Sequence, residues 1–347
     1  MIKNKNFSTF VLDEDLEFLS NYSNIIWKKL NNKKIFITGG SGFLGRNFIS
    51  ALYFIEKLFN YNFSITCLTR NKRKFLEKLN YYSSKKNYEI IEGSLKKLTK
   101  IKNKYDIFIH LADRTIPDQH NENKNLLLKK SKENIYSVVR FINECSIKYF
   151  IYLSSGAVYE KTLYEKKFSE NDKLITNINN AYYHYATRKL ISEEIIKNEL
   201  SNSNVKYLIF RAFTFAGPYL ELDKHYASTE FFKNCLRKKD IYIKNNISSK
   251  RSYLYSYEMV IWCLQLVLKN SESGCYNLGS AIEITMEHLA YSIKNTTNSK
   301  VNIIVKNDTN DGNFYVPNNN LFINHSGLSQ TIPFEDIIHR YYKWLRN

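Results

Sequence analysis

The sequence predicts an α/β fold in which helices cover both faces of a parallel sheet. From residue 34 to about residue 210, short runs of consecutive apolar residues alternate with longer segments of helical periodicity. Strands that are buried on both faces read as continuous apolar runs. A glycine-rich turn joins the first run to the first helix, as in doubly wound sheets that bind dinucleotides. We therefore expect a Rossmann-type doubly wound parallel sheet, followed by a smaller C-terminal α/β domain.

The order of the elements divides the chain into three parts. Strands are predicted over 34–38, 64–69, 88–92, 105–110, 148–154 and 205–210, and helices over 43–59, 124–146 and 181–199. Beyond residue 210 the elements become shorter and turns more frequent. We predict an N-terminal helical extension over 1–32, a dinucleotide-binding domain over 33–210, and a mainly substrate-binding domain over 211–347 that is interleaved with it.

The extension carries its own apolar pattern. Leu16, Leu19, Ile26 and Leu30 recur at roughly helical spacing, and Trp27 lies beside them. Such a stripe needs a surface to cover it. We expect this segment to pack on the main body.

Length and composition indicate a globular protein without a membrane span. The chain has 347 residues, of which 44% are hydrophobic and 15% aromatic, and this argues against disorder. No apolar run approaches the roughly 18 to 20 residues that cross a bilayer, and residues 1–10 lack the pattern of a secretory signal. The five cysteines are odd in number and form no C-x-x-C pair, which indicates free thiols. We expect a cytoplasmic location.

The formal charge of +18 raises the question of a polyanionic partner. Lysines are spread along the whole chain, and the densest basic runs are short and lack interleaved aromatic residues. A solvated surface is therefore the favoured interpretation, and we expect no nucleic-acid partner. A polyanion-binding face is the alternative.

The segment Thr38–Gly45 carries the spacing G-x-x-G-x-x-G between a strand and a helix. In such a turn the first glycine permits the sharp bend, the second lets a diphosphate approach the backbone, and the third lets helix and strand pack closely. Unpaired N–H groups at the start of the helix attract the anion. We predict that the cofactor diphosphate is bound by Gly39, Ser41, Gly42, Phe43, Leu44 and Gly45.

The end of the second predicted strand indicates which dinucleotide binds. An acidic residue there would accept from the ribose 2′-hydroxyl group, but the chain has Thr69-Arg70-Asn71. Arg70 could pair with a 2′-phosphate, which favours NADP over NAD as cofactor. The alternative is that Arg70 stacks on the adenine or faces water.

Tyr185 and Lys189 form a Y-x-x-x-K pair on one face of a predicted helix. A tyrosine has an ordinary pKa of about 10, and a neighbouring ammonium stabilises its phenolate. The spacing also occurs at Tyr53 and Lys57, but only Tyr185 follows the strand that ends in Ser154-Ser155. We predict that Tyr185 and Lys189 are catalytic and bind the nicotinamide half of the cofactor. Ser155 is predicted to be catalytic by hydrogen bonding to the reacting oxygen of the substrate.

Together these residues resemble the extended short-chain dehydrogenase/reductase family, and specifically its nucleotide-sugar epimerase/dehydratase branch. The shared motifs are TGGSGFLG at 38–45, HLA at 110–112, LSSGAVY at 153–159, YATRK at 185–189, RAFTFAGP at 211–218, RSYLY at 251–255 and YNLG at 276–279. The resemblance implies that Leu111 and Ala112 contact the cofactor. It also implies that Arg251 holds the nucleotide diphosphate, and that Gly217 and Pro218 form the turn near the nicotinamide and the sugar.

The resemblance further implies a nucleotide-sugar substrate and a homodimer. The 4,6-dehydratases of the family have an Asp-Glu pair where this chain has Gly156 and Ala157, and the decarboxylases have a Glu at the position of Ala157. Neither Gly nor Ala can move a proton. This favours a 4-epimerase or a 4-keto-reductase, which needs only Ser155, Tyr185, Lys189 and the cofactor. The alternatives are a dehydratase or decarboxylase with substituted acid/base groups, or a non-catalytic dinucleotide-binding protein.

A second departure from the family concerns Ser94, which stands where the family usually has an aspartate near the adenine. It bears on the recognition of the adenine and leaves the prediction of the fold unchanged.

Overall fold

A parallel sheet of seven strands forms the centre of the part of the chain that the structure describes. The structure, a computed structural model, describes residues 12–21, 27–113, 124–160, 166–176, 184–224, 226–243, 247–305 and 313–347. The strands of this sheet are β1 (Lys34–Thr38), β2 (Ser64–Thr69), β3 (Tyr88–Glu92), β4 (Ile107–His110), β5 (Tyr149–Ser155), β6 (Lys206–Ala212) and β11 (Gly274–Leu278). Their order across the sheet is β11-β6-β5-β4-β1-β2-β3.

The strand order reverses direction next to β1. The chain goes outward from β1 through β2 to β3 and then returns to β4 on the other side of β1. In open parallel sheets, ligands bind at such a reversal, beyond the carboxyl ends of the strands. The predicted Rossmann-type fold is confirmed.

Helices cover both faces of this sheet, as the continuous apolar strands predict. The α-helices of the described residues are α1 (Asp13–Asn21), α2 (Phe43–Phe59), α3 (Lys72–Lys78), α4 (Lys124–Glu144), α5 (His184–Leu200), α6 (Ala227–Leu236), α7 (Ser256–Leu268), α8 (Met286–Thr296), α9 (Asn320–Ser326) and α10 (Phe334–Arg346). Ile35 and Ile37 join the core on the face of α2 and α7, whereas Phe36 joins the core on the face of α4 and α5. All three side chains are fully buried.

The remaining strands form small sheets after residue 212. They are β7 (Phe215–Ala216), β8 (Ile241–Ile243), β9 (Lys250–Arg251), β10 (Leu254–Tyr255), β12 (Ile284–Thr285), β13 (Ile303–Val305) and β14 (Phe314–Tyr315). Strand β9 lies between β12 and β14 and pairs with β14 in parallel, so that Tyr315 lies beside Arg251. The division of the chain into domains at residue 210 stays a prediction.

The N-terminal extension packs on the main body, as predicted. Leu16 and Leu19 of α1 are buried, and α1 contacts α2. Asp15 is fully buried, where its carboxylate accepts a hydrogen bond from the Tyr255 hydroxyl at 2.8 Å and lies 3.0 Å from Arg340 Nη1. Burial raises the pKa of Asp15 to about 6, against the opposing effects of these partners. Ile26 lies outside the described residues.

Several predicted boundaries differ from the structure by one or two residues; for example, the helix predicted over 124–146 ends at Glu144, and the strand predicted over 205–210 is Lys206–Ala212. Strand β4 begins at Ile107 and not at residue 105, because the Tyr105 amide donates to the Cys145 carbonyl and not to a neighbouring strand. Helix α5 is described from His184, and residues 181–183 of the predicted helix lie outside the described residues. In the described ranges no helix combines the length and apolarity needed to cross a membrane. The five cysteines are free thiols.

Candidate active site

The glycine-rich turn that leads from β1 into α2 is closely packed against neighbouring backbone atoms. Gly39 has a φ of +74°, and a Cβ on it would lie 2.7 Å from the Ala112 nitrogen. A Cβ on Gly45 would lie 2.2 Å from the Gly39 carbonyl oxygen. These two positions therefore require glycine, Gly39 for its backbone conformation and close contact, and Gly45 for the contact between helix and turn.

Gly42 is the N-cap of α2, and no side chain caps the helix there. The backbone N–H groups of the first turn of this 17-residue helix are therefore not satisfied by a side-chain cap. Such a helix start, at the end of the first strand of a doubly wound sheet, attracts a phosphate group.

A cleft of about 750 Å³ opens at this turn. Its size falls within the range of about 300 to 1,000 Å³ that is usual for cofactor sites. Of the predicted cofactor-binding residues, the following line it: Gly39, Ser41, Gly42, Arg70, Leu111 and Ala112. Phe43 and Leu44 pack against the core, and Gly45 lies in the helix–turn contact. The cleft and the uncapped helix start fit a dinucleotide.

Basic side chains gather at the end of β2, on one wall of the cleft. Arg70, Lys74 and Lys78 all line it, and Arg70 is exposed. The Asn71 side chain accepts a hydrogen bond from the Lys74 amide at 2.8 Å and so caps α3. Ser94 lines the same cleft. Lys78 also pairs with the Glu221 carboxylate at 2.7 Å, and among the described residues no carboxylate lines this wall itself.

Lys189 is buried where β5 meets α5. Its ammonium donates to the Leu153 carbonyl at 2.7 Å and lies 2.8 Å from Asp113 Oδ2. It also lies 5.1 Å from the centre of the Tyr152 ring. Burial lowers the pKa of Lys189, but the Asp113 carboxylate and the neighbouring tyrosines outweigh burial and raise it above the ordinary value. Lys189 is therefore positively charged at neutral pH.

Tyr185 lies one turn before Lys189 on the same helix, as the Y-x-x-x-K spacing predicts. Its ring is half-buried, and the ring centre lies 5.8 Å from both Lys189 Nζ and the Arg188 guanidinium carbon. Two positive groups thus lie within reach of the phenol.

Ser155 ends β5 and is buried. Its Oγ accepts from the Ala157 amide at 3.2 Å, and the Tyr315 hydroxyl lies near it. The Tyr315 hydroxyl donates to the Ala212 carbonyl at 3.3 Å and is electrostatically coupled to Tyr185. Burial raises the pKa of Tyr315, so that its hydroxyl stays protonated. Tyr315 therefore joins Ser155 and Tyr185 in one cluster.

Arg251 extends this cluster on the side of the small sheets. Its guanidinium carbon lies 5.6 Å from the centre of the Tyr315 ring, and Nη1 donates to the carbonyls of Lys250 and Asn313. Gly217 and Pro218 lie elsewhere, in a turn against the start of α2. The Pro218 carbonyl accepts from the Asn47 side chain at 2.9 Å, and a Cβ on Gly217 would lie 2.3 Å from Ser256 Oγ.

Apart from Gly217 and Pro218, the predicted residues thus form two neighbouring groups. One lines the cleft at the glycine-rich turn, and the other consists of Ser155, Tyr185, Lys189 and Arg251, none of which lines that cleft. Asp113 and Arg188 connect them, since both line the cleft and also a cavity of about 40 Å³ that Lys189 lines.

Two residues of the site were missed by the sequence reasoning. Asp113 directly follows the HLA motif, and its position next to Ala112, an expected cofactor contact, could have identified it. The pairing of β14 with β9 brings Tyr315 to the site, and no local sequence pattern predicts that pairing.

Comparison with known proteins agrees with this geometry. The model of the NAD dependent epimerase/dehydratase family matches residues 35–279, which is more than half of the chain. The chain is 28% identical to a dTDP-D-glucose 4,6-dehydratase of Dictyostelium discoideum over 77% of this chain and 64% of that protein. It is 27% identical to the dTDP-4-dehydro-6-deoxyglucose reductase of Escherichia coli over 77% of this chain and 82% of that protein.

A similar fold occurs in a UDP-N-acetylglucosamine 4-epimerase from Methanobrevibacter ruminantium. The two structures superpose with a TM-score of 0.78 at 19% identity, over 91% of this chain and 99% of the other. At this identity the likeness concerns the fold. With the family model and the glycine-rich turn at the first strand, it leads to one assignment: the chain belongs to the NAD dependent epimerase/dehydratase family.

Proposed function

We propose that the protein transfers hydride between a nicotinamide cofactor and C4 of a nucleotide-activated sugar, as a 4-epimerase or a 4-keto-reductase. The observation that carries this proposal is the position of Lys189 Nζ, 5.8 Å from the Tyr185 ring centre and held between the end of β5 and the cofactor cleft. The names of the similar proteins support it, because they include a 4-epimerase and a reductase of a 4-dehydro sugar nucleotide.

Each residue of the cluster has a role in this reaction. Tyr185 removes the proton from the C4 hydroxyl or returns it, and the charged Lys189 stabilises the phenolate that forms. Ser155 hydrogen-bonds to the same sugar oxygen, while Arg251 binds the diphosphate of the sugar nucleotide. The nicotinamide cofactor, when bound, accepts the hydride or supplies it.

The surroundings of Gly156 argue against a dehydratase or a decarboxylase. A Cβ on Gly156 would lie 2.7 Å from the Phe213 ring, so an aromatic side chain fills the space where an acid/base group would have to stand. Ala157 offers no proton either. An elimination would therefore require an acid or base from another part of the chain, whereas hydride transfer at C4 requires none beyond Tyr185.

The wall of the cleft at β2 supports NADP as the preferred cofactor. Arg70 and Lys74 line the cleft at the end of β2, where the ribose 2′-substituent is expected, and cations bind a phosphate there better than a hydroxyl. The description of the matching family names NAD as the cofactor. The homodimer and the cytoplasmic location stay predictions.

The experiment is an incubation with a panel of sugar nucleotides and their 4-keto derivatives, in which NADPH loss and product mass are followed together. A Tyr185→Phe variant should bind NADPH and lose turnover. Tyr53→Phe is the matched control, because Tyr53 has the same spacing to Lys57 but is buried in the core, with Lys57 Nζ 5.4 Å from its ring centre. Full turnover by Tyr185→Phe would contradict the mechanism.

A further inference from the structure

Asp113 lies between the cofactor cleft and Lys189. It directly follows Leu111 and Ala112, whose backbone atoms approach the glycine-rich turn so closely that a Cβ on Gly39 would lie 2.7 Å from them. The Asp113 side chain lines the cleft as well as the small cavity beside it. A carboxylate at this place would repel a bound diphosphate unless nearby cations offset its charge.

Two cations of α5 share this carboxylate. Asp113 Oδ2 lies 2.8 Å from Lys189 Nζ, and Oδ1 lies 3.4 Å from Arg188 Nη1. Only 6% of each cationic side chain is exposed, against 30% of the Asp113 side chain. Burying an ammonium or a guanidinium group without a counter-ion is unfavourable. Asp113 thus supplies that counter-ion at the edge of the cleft.

Lys189 has a second anchor on the opposite side. Its ammonium donates to the carbonyl of Leu153, two residues before Ser155 on β5. An ammonium has three N–H donors, and these two contacts use two of them. The carbonyl and the carboxylate together determine where the charge lies relative to Tyr185 and to the cleft. Of these two anchors, Asp113 is the one that borders the cleft.

Building on the proposed function, we propose that Asp113 is a positioning residue that orients Lys189 and Arg188 toward the second ribose of a bound dinucleotide, the ribose attached to the nicotinamide. Asp113 acts through these two cations. Removing its charge frees them to move and to form other pairs, which weakens their hold on that ribose. Asp113 makes none of the contacts named above at the glycine-rich turn or at β2, so a ligand that ends at the diphosphate should depend on Asp113 far less than one that carries the second ribose.

The test compares three ligands that differ in the second ribose. ADP lacks it, ADP-ribose has it, and NADH carries the nicotinamide as well. In an Asp113→Asn variant, we expect the Kd of ADP-ribose and of NADH to rise about tenfold, and that of ADP to stay within about twofold. Asp113→Glu, which keeps the charge on a partly exposed side chain, should restore most of the affinity. Binding is measured by calorimetry and, for NADH, by fluorescence.

Two further variants separate this role from a general effect on the fold. Glu144→Gln is the matched control, because it removes one carboxylate charge from a lysine pair outside the cleft, with Lys102 Nζ 2.6 Å away, and should leave all three affinities unchanged. In a Lys189→Met background, adding Asp113→Asn should weaken ADP-ribose binding no more than about twofold further, because most of the effect passes through Lys189.

Several results would overturn the proposal. They are an equal loss for ADP and ADP-ribose, unchanged or tighter binding of all three ligands, and a full additional loss in the Lys189→Met background. None of the ligands is a sugar nucleotide. A protein that shows the expected binding pattern but converts no sugar nucleotide would therefore contradict the proposed function and still support the role of Asp113, whereas a wild-type chain that binds neither these three ligands nor NADPH would contradict both.

Discussion

Glu193 of α5 and Arg211 of β6 form a buried ion pair, with Arg211 Nη2 2.8 Å from Glu193 Oε2 and no more than 2% of either side chain exposed. Ser154 donates a hydrogen bond to the same carboxylate, and Arg211 Nη1 donates to the Tyr159 hydroxyl at 3.1 Å. Glu193 lies one turn after Lys189. The pair therefore joins the helix that carries Tyr185 to β6, beside the end of β5 that carries Ser155.

Glu193→Gln should destabilise the fold. It leaves the Arg211 guanidinium buried without its counter-ion, and breaking one side of a buried pair typically costs about 3 to 5 kcal/mol. Urea unfolding at neutral pH measures the change in the free energy of unfolding. Glu77→Gln is the control, because Glu77 pairs with Arg73 on an exposed face of α3, and it should change the stability by less than about 1 kcal/mol. Equal effects would mean that the buried pair does not stabilise the fold.

Gly45 and Gly42 should respond differently to alanine. At Gly45 the new methyl group would lie 2.2 Å from the Gly39 carbonyl, and such overpacking costs about 1 to 3 kcal/mol. At Gly42 the nearest atom would be 3.3 Å away, so the fold should tolerate alanine while the methyl group hinders a diphosphate at the cleft. Thermal unfolding should show a loss for Gly45→Ala, and fluorescence titration a weaker affinity for NADPH in Gly42→Ala.

Gly274→Ala is the control for both, because its Cβ would have no neighbour closer than 3.5 Å. It should keep both stability and NADPH affinity. A Gly42→Ala variant that binds NADPH as tightly as the wild type would mean that the diphosphate does not approach this turn.

Arg70→Gln should lower the affinity for NADPH and leave that for NADH nearly unchanged. Arg70 lines the cleft at the end of β2, and the loss of an arginine–phosphate pair costs about 1.5 to 3 kcal/mol, or roughly tenfold to a hundredfold in Kd. The control is Arg73→Gln, three residues further on, with a side chain that is 90% exposed and does not line the cleft. Equal losses for NADPH and NADH would argue against a 2′-phosphate contact.

The sequence was sufficient to predict the glycine-rich turn and the strand and helix that flank it, for a physical reason. The first strand, the glycine spacing and the following helix are set by local sterics and by burial on both faces, so Lys34–Thr38 and the end of α2 at Phe59 agree with the predicted bounds. The spacing of Tyr185 and Lys189 is likewise a local property of a helix.

The cluster that contains Ser155 and Tyr315 depends on contacts between distant parts of the chain. Tyr315 reaches Ser155 only because β14 pairs with β9, more than sixty residues before it. The buried face of helix α5 cannot be recognised by an apolar pattern either, because it carries the charged residues Arg188, Lys189 and Glu193. Their partners Asp113 and Arg211 come from other elements, and no local periodicity indicates such pairs.

The buried carboxyl group of Glu258 should make the stability of the fold depend on pH. It is 1% exposed on α7, where Oε1 accepts hydrogen bonds from the Thr331 amide and hydroxyl, while Oε2 has no hydrogen-bond partner among the described residues. Burial raises its pKa from 4.5 to about 7, although Thr331, Ile332 and Arg340 act in the opposite direction. The contribution to stability is therefore fully present below pH 4.5 and is lost as the pH rises through 7.

Glu258→Gln removes this ionisation while keeping the shape of the side chain. The shift of the pKa corresponds to about 3 kcal/mol, so the variant should be more stable than the wild type by about that amount at pH 8.5 and by less than about 1 kcal/mol at pH 5. Urea unfolding of both proteins at the two pH values gives the difference directly. Comparison with the wild type cancels the contribution of Asp15, whose raised pKa has the same sign. A difference that does not grow with pH would mean that Glu258 is not held in a charge-excluding site.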